Sequence, residues 1–212
     1  MALADYSELK AAVGDFLNRQ DLVAVIPTFI RQAEAQMNRR LVVLGVPLDM
    51  VVTDTLTITS EYTPLPTSFL AMRSFQLAGE TIPLDFVEPE EIARRKGLFP
   101  TQTGKPLVWS IVGGNIQVWP FTGSPTFSAE IVYTEVIPPL SDTDTTNWML
   151  EKHPDVYLYG ALMQSAPYLK DDGRIEVWGT LFTSLLGDVS AAGRIGRTST
   201  NLGASASSSA RP

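Results

Sequence analysis

The sequence predicts an α+β protein: an α-helical bundle formed by N- and C-terminal segments, with a β-rich insert between them. Three observations predict it. Apolar residues recur at helical spacing in residues 1–48 and again in 140–195. Residues 49–139 are instead rich in β-branched side chains, alternation and turn residues. From Gly196 onward serine, threonine, alanine and glycine fill twelve of seventeen positions, which predicts a flexible or partner-ordered tail over 196–212.

The elements follow in order. Tyr6, Leu9, Val13, Phe16 and Leu17 fall at helical spacing, and Asp5 or Ser7 suits the cap. Asn18-Arg19-Gln20-Asp21 breaks the helix. Pro27 suits the start of a longer one, whose stripe is Ile30, Ala33, Met37, Leu41 and Leu44, and which stops near Gly45 and Pro47. Val51–Thr59 reads as a strand. Met72–Leu77 and Ile82–Phe86 read as a hairpin around Ala78-Gly79-Glu80-Thr81. A short helix is expected over 88–96, with acids first, Arg94, Arg95 and Lys96 last, and Gly97 closing it. Trp109–Val112 and Ile116–Trp119 enclose Gly113-Gly114-Asn115 as a second hairpin, and Phe127–Ile137 is a further strand stopped by Pro138-Pro139. Pro154 opens a helix that is apolar nearly all round from Val156 to Ala166, where Gly160, Ala161, Ser165 and Ala166 admit a close neighbour. Such a helix fits packing between neighbouring subunits. Pro167 ends it, Asp171-Asp172 caps the next, and Ile175, Trp178, Leu181, Phe182, Leu185 and Val189 share one face.

Composition removes several kinds of chemistry. The 212 residues hold no cysteine and one histidine, His153, so disulfides, thiolate sites and histidine-rich metal sites are excluded. His153 precedes Pro154 at a helix start and reads as a loop or capping residue, with no nucleophile or orienter in the pattern for a hydrolase. Asp142, Asp144 and Asn147 lack the glycine and final glutamate of a calcium loop and read as capping residues. Glu88, Glu90 and Glu91 are the acids expected at a helix N-terminus. Gly113-Gly114 has no following lysine or helix, so it is no phosphate loop. No catalytic site, cofactor or metal is expected. No signal peptide or membrane span is expected either.

Charge is uneven. Residues 1–189 carry thirteen basic and twenty-three acidic side chains, a net of −10, while the last twenty-three carry +3 from Arg194, Arg197 and Arg211. An acidic body opposes general affinity for DNA.

Asn18-Arg19-Gln20-Asp21-Leu22 leads through Ile26-Pro27 to Phe29-Ile30-Arg31-Gln32-Ala33-Glu34. Leu65-Pro66-Thr67-Ser68-Phe69 follows, then Thr146-Asn147-Trp148-Met149-Leu150 and His153-Pro154-Asp155-Val156-Tyr157-Leu158-Tyr159-Gly160-Ala161-Leu162. Ala166 to Asp172 and Trp178 complete the pattern, which spans roughly residues 5–190. It resembles the head–tail adaptors of tailed bacteriophages, in particular the tail tubular protein A type of short-tailed phages. The resemblance implies a virion structural protein and no enzyme: a homo-oligomeric ring, commonly a dodecamer, assembled in the host cytoplasm. It would dock beneath the portal protein, join it to a tail nozzle or tail tube protein, and line the channel through which DNA passes without specific binding. Trp148, Tyr157, Tyr159, Arg194, Arg197 and Leu202 are the expected partner or subunit interface. The alternative is a tail-associated binding module that recognises carbohydrate or another tail protein through Trp109 and Trp119. Exposure of both tryptophans on one face would favour it.

Overall fold

The computed structural model describes residues 3–121, 123, 125–169 and 173–206, with side chains described through Gly193 except that of Gln20. Asp171 and Asp172 lie outside the described residues. The fold is α+β. It divides into two compact units, Met1–Met50 with Ile137–Pro212, and Val51–Val136.

The first unit is helical. Helix α1 spans Tyr6–Leu17, with the Asp5 carboxylate accepting from the Glu8 N–H and Asn18 closing it in the left-handed region at φ 51°. Helix α2 spans Ile26–Leu44, with Pro27 in its first turn and Gly45 after its end. The expected stripe is buried as far as Leu41, whereas Leu44 is half-buried. Helix α4 spans Trp148–Lys152, α5 Pro154–Gln164 and α6 Arg174–Ala206. Helix α3, Pro89–Leu98, belongs to the second unit.

Helix α5 is the axis of the unit and packs against α1, α2, α4 and α6. Val156, Tyr157, Leu158, Gly160, Ala161 and Leu162 are buried. Most of its apolar surface is therefore covered by its own chain, where neighbouring subunits were expected to cover it, and Tyr159 and Met163 stay half-buried. Trp178, Phe182, Leu186 and Val189 of α6 are buried; Leu181 is exposed and Leu186 takes its place in the core. The sequence pattern ends regular structure at Gly196, but α6 continues to Ala206. A helix already nucleated adds one hydrogen bond for each further residue without a new nucleation cost.

Among its described residues the second unit holds seven strands. A three-stranded antiparallel sheet has the order β1 (Val51–Ile58), β7 (Phe127–Glu135), β3 (Phe69–Leu77). A four-stranded sheet has the order β2 (Tyr62–Pro64), β6 (Asn115–Trp119), β5 (Val108–Val112), β4 (Asp85–Phe86). Ile58, Phe75, Leu77, Ala129, Ile131 and Tyr133 of the first pack with Trp109, Ile116 and Val118 of the second in one apolar core. The β5–β6 hairpin turns at Gly113 and Gly114, with φ of 57° and 79°; two consecutive positive values are what a tight two-residue hairpin demands. The other expected hairpin is corrected. The Leu84 N–H does reach the Phe75 carbonyl at 2.8 Å, but Asp85 and Phe86 then pair in parallel with Val108 and Trp109 of the other sheet. Pro83 removes a ladder donor at that point.

Helix α3 spans Pro89–Leu98 and seats Ile92 against Val108 and Trp119. It passes through Gly97 instead of stopping there, and the Phe99 N–H closes on the Arg95 carbonyl. Glu91 accepts from Arg94 at 2.7 Å and from Arg95 at 2.7 Å. These two guanidinium hydrogen bonds, Arg94 first, hold its carboxyl down at about 2. A depressed value means that the stabilisation exists above the ordinary 4.5 and is lost as pH falls through about 2. An NMR titration is expected to place the Glu91 transition near 2, and in Arg94→Ala it should move up toward the ordinary value.

Candidate functional site

The helical unit closes across an insertion, and its closure depends on buried polar groups. The chain returning from β7 meets Pro138-Pro139 and runs irregularly to Asn147. Buried main-chain N–H groups in such a segment need acceptors. Helix α2 supplies them from one face: Asn38 Oδ1 accepts from the Ile137 N–H at 2.9 Å, and Glu34 Oε1 accepts from the Leu140 N–H at 2.8 Å. Residues 34 and 38 are one turn apart, so both carbonyl-type oxygens face the same segment.

The seam continues inward. The Tyr157 hydroxyl donates to Glu34 Oε1 at 3.1 Å and accepts from Asn147 Nδ2 at 2.7 Å. Asn147 Nδ2 also donates to the Pro138 carbonyl at 2.6 Å, while its Oδ1 caps α4 through the Leu150 N–H at 2.9 Å. Glu34 Oε1 thus accepts from both the Leu140 N–H and the Tyr157 hydroxyl. Desolvation raises the Glu34 carboxyl above its ordinary value, against the pull of its two hydrogen bonds and of Arg31. Burial, then the neighbouring carboxylate, pushes the Tyr157 phenol up, so it serves as a donor. The network joins α2, α4, α5 and the return segment. Glu34 was not assigned a role from sequence, although its place four residues after Ile30 and three before Met37 puts it on the apolar stripe.

The expected interface residues separate. Tyr157, expected at an interface, is wholly buried in this network within its own chain. Trp148 and Tyr159 are half-buried and keep some surface. Trp148 Nε1 is a buried donor with no partner among the described residues. The side chains of Arg194, Arg197 and Leu202 lie outside those described. Around α2 the structure also exposes apolar surface that sequence reading did not single out. Val42 and Val43 lie on its last turn and Leu48 follows it. Gly193 is a further missed position: a Cβ there would lie 2.8 Å from Pro47 Cα, so α6 and the segment after α2 touch backbone to backbone.

Other candidates resolve into structure. His153 lies between α4 and α5 and its side chain makes no cap bond. Asp142 pairs with Lys10 at 2.7 Å, and Asp144 accepts within its own loop from Ser141. Among the described residues no group of acidic or histidine side chains is placed to hold a metal ion. Also among them, no helix is long and apolar enough to cross a membrane. Trp109 is 6% exposed and its Nε1 donates to the Leu84 carbonyl; Trp119 is 7% exposed against Ile92 and Val108. Neither presents a stacking face, which removes the observation the carbohydrate-binding alternative required.

A helical unit interrupted by a β-rich insertion, closed by a buried carboxylate seam, is an architecture of packing surfaces. It defines a structural module. The chain belongs to the SU10 adaptor protein family, whose profile matches residues 4–207 and so takes in both units. This is a bacteriophage adaptor family, which makes the chain a structural adaptor of the head–tail kind and a virion component. No curated protein matches the chain closely enough to count as a relative.

Proposed function

We propose that the protein forms a ring beneath the phage portal, joins it to the tail nozzle or tube, and lines the DNA exit channel. The observation that carries this reading is the family match over residues 4–207. The tail tubular protein A likeness of the sequence blocks adds the ring, which we take as a dodecamer. Trp148 and Tyr159, half-buried on the helical unit, and the exposed Val42, Val43 and Leu48 supply apolar surface for neighbours. Arg194, Arg197 and Leu202, toward the end of α6, serve attachment to the portal or to the next subunit. The net charge of −10 over residues 1–189 gives DNA few cations to hold, which suits a channel wall that lets it pass.

Electron microscopy of the purified protein with and without its portal tests the reading. Rings, or density on the portal, are expected. A monomer that ignores the portal would overturn it. Removal of residues 196–212 is expected to weaken portal attachment while leaving the fold intact, and full attachment by the shortened chain would refute the role of that segment.

A further inference from the structure

The three-stranded sheet of the β unit has two edges, and the chain treats them differently. Strand β3 pairs with β7 through two register breaks, at Phe69/Ala71 and Met72/Ser74, and its Phe75 carbonyl is taken by the Leu84 N–H. Bulges and cover of this kind blunt an edge. Strand β1 has neither. Its eight residues pair with β7 without interruption, from Val51↔Thr134 to Ile58↔Phe127. It contains no proline, lysine or arginine. Among the described residues no strand pairs with its other side.

The orientation of its main chain follows from one hydrogen bond. The Thr55 N–H donates to Asp54 Oδ1 at 2.7 Å, so it is not part of the ladder to β7. Antiparallel pairing alternates, and Val51, Thr53 and Thr57 therefore also direct their N–H and C=O groups away from β7. Thr53, Asp54, Thr55 and Thr57 are exposed. Asp54 occupies the row of Val52, Leu56 and Ile58, yet its carboxylate turns out to the edge and covers a single amide. Among the described residues this carboxylate is what protects the β1 edge.

We infer that β1 is a strand-accepting edge, and that its partner is an extended cationic segment of another polypeptide, which adds a fourth strand beside Val51–Ile58. Main-chain hydrogen bonds to the outward amides and carbonyls supply the attraction, and threonines at alternate positions suit an extended neighbour. Charge selects the partner. Asp54, on the edge itself, has no ion-pair partner among the described residues. An incoming lysine or arginine beside Asp54 replaces the Thr55 amide as the carboxylate's partner, and the amide is freed for the new ladder. A second copy pairing β1 with β1 would instead bring two Asp54 carboxylates close together. The inference stands on the edge itself and does not depend on the ring reading.

The probe is an acetylated, amidated nonapeptide of threonine and valine with two lysines, titrated into the full chain. Amide exchange is expected to slow about tenfold at Thr53, Thr55 and Thr57 on binding. Thr55→Pro removes an outward donor while sparing the β7 ladder, and is expected to weaken binding about tenfold. Asp54→Asn should weaken it about threefold and flatten its salt dependence. Should Thr55→Pro not fold, the wild-type chain is tested with the peptide methylated on alternate amide nitrogens, which should not bind. Equal binding of a peptide with glutamates for lysines, unchanged binding by the methylated peptide, or no protection at the three threonines would each overturn the inference. A dimer held through β1 in the absence of peptide would also overturn it, in favour of a second copy.

Discussion

Glu34→Ala is expected to destabilise the helical unit by about 3 kcal/mol. The loss strands the Leu140 N–H and the Tyr157 hydroxyl, both of which donate to Glu34 Oε1 in a site where Glu34 is 5% exposed. Asn147 then holds Tyr157 from one side only, and the return segment is tied to α2 by Asn38 alone. Glu34→Gln keeps the accepting oxygen without the charge and is expected to cost about 1 kcal/mol or less at neutral pH. The two variants also separate in their pH dependence. Desolvation raises the Glu34 carboxyl in the folded chain above the 4.5 of an unfolded one. The folded state therefore binds the proton more tightly, so this group's contribution to stability is greatest below 4.5 and declines as pH rises through the raised folded value. The glutamine variant has no such decline, and the gap between it and the wild type should narrow from acid to neutral pH. Urea denaturation at several pH values measures both effects. A gap that widened toward neutral pH would show that the hydrogen bonds, not desolvation, dominate.

Gly160→Val is expected to cost about 3 kcal/mol, and more if α6 is forced off α5. A Cβ at this position would lie 2.9 Å from Phe182 Cε2 and 3.2 Å from Ala33 Cβ. Phe182 is 1% exposed and its ring has no solvent into which to retreat. Alanine at the same position gains about 1 kcal/mol of helix propensity, so Gly160→Ala should be milder. A compensating Phe182→Leu in that background is expected to show coupling of about 1 kcal/mol, because the two side chains compete for one space. Gly97 is the counter-example. It also lies within a helix, α3, but a Cβ there meets nothing within 4 Å. Gly97→Ala should stabilise the protein by about 0.5–1 kcal/mol. The opposite signs, read from thermal melts of the two alanine variants, distinguish a packing glycine from a merely tolerated one.

Much of the architecture was legible along the chain. The α1 and α2 boundaries, the β5–β6 hairpin and the start of α5 rest on local chemistry: Asp5 and Asn18, Pro27 and Gly45, two glycines in sequence, Pro154. Close approach at Gly160 was legible too, because small residues on an apolar helix have few other uses. The partner of β4 was not. Residues 82–86 look like the second arm of a hairpin, and only the competing Val108–Trp109 edge draws them into a different sheet. Nor was the burial of Tyr157, for the same reason. An aromatic hydroxyl on a helix reads as surface until a buried acceptor is found for it, and that acceptor, Glu34, lies 123 residues away.

Local sequence thus determined the kind of each element and most of its ends, since caps, turns and apolar periods act over a few residues. It also determined the absence of cysteine chemistry and the division of charge between body and tail. Tertiary structure alone decided which surfaces are spent. Most of the apolar α5 is covered by its own chain, Trp109 and Trp119 are closed off, and the open main chain of β1 remains. The physical reason is that burial and strand pairing are properties of two segments meeting, and nothing within either segment states that they meet.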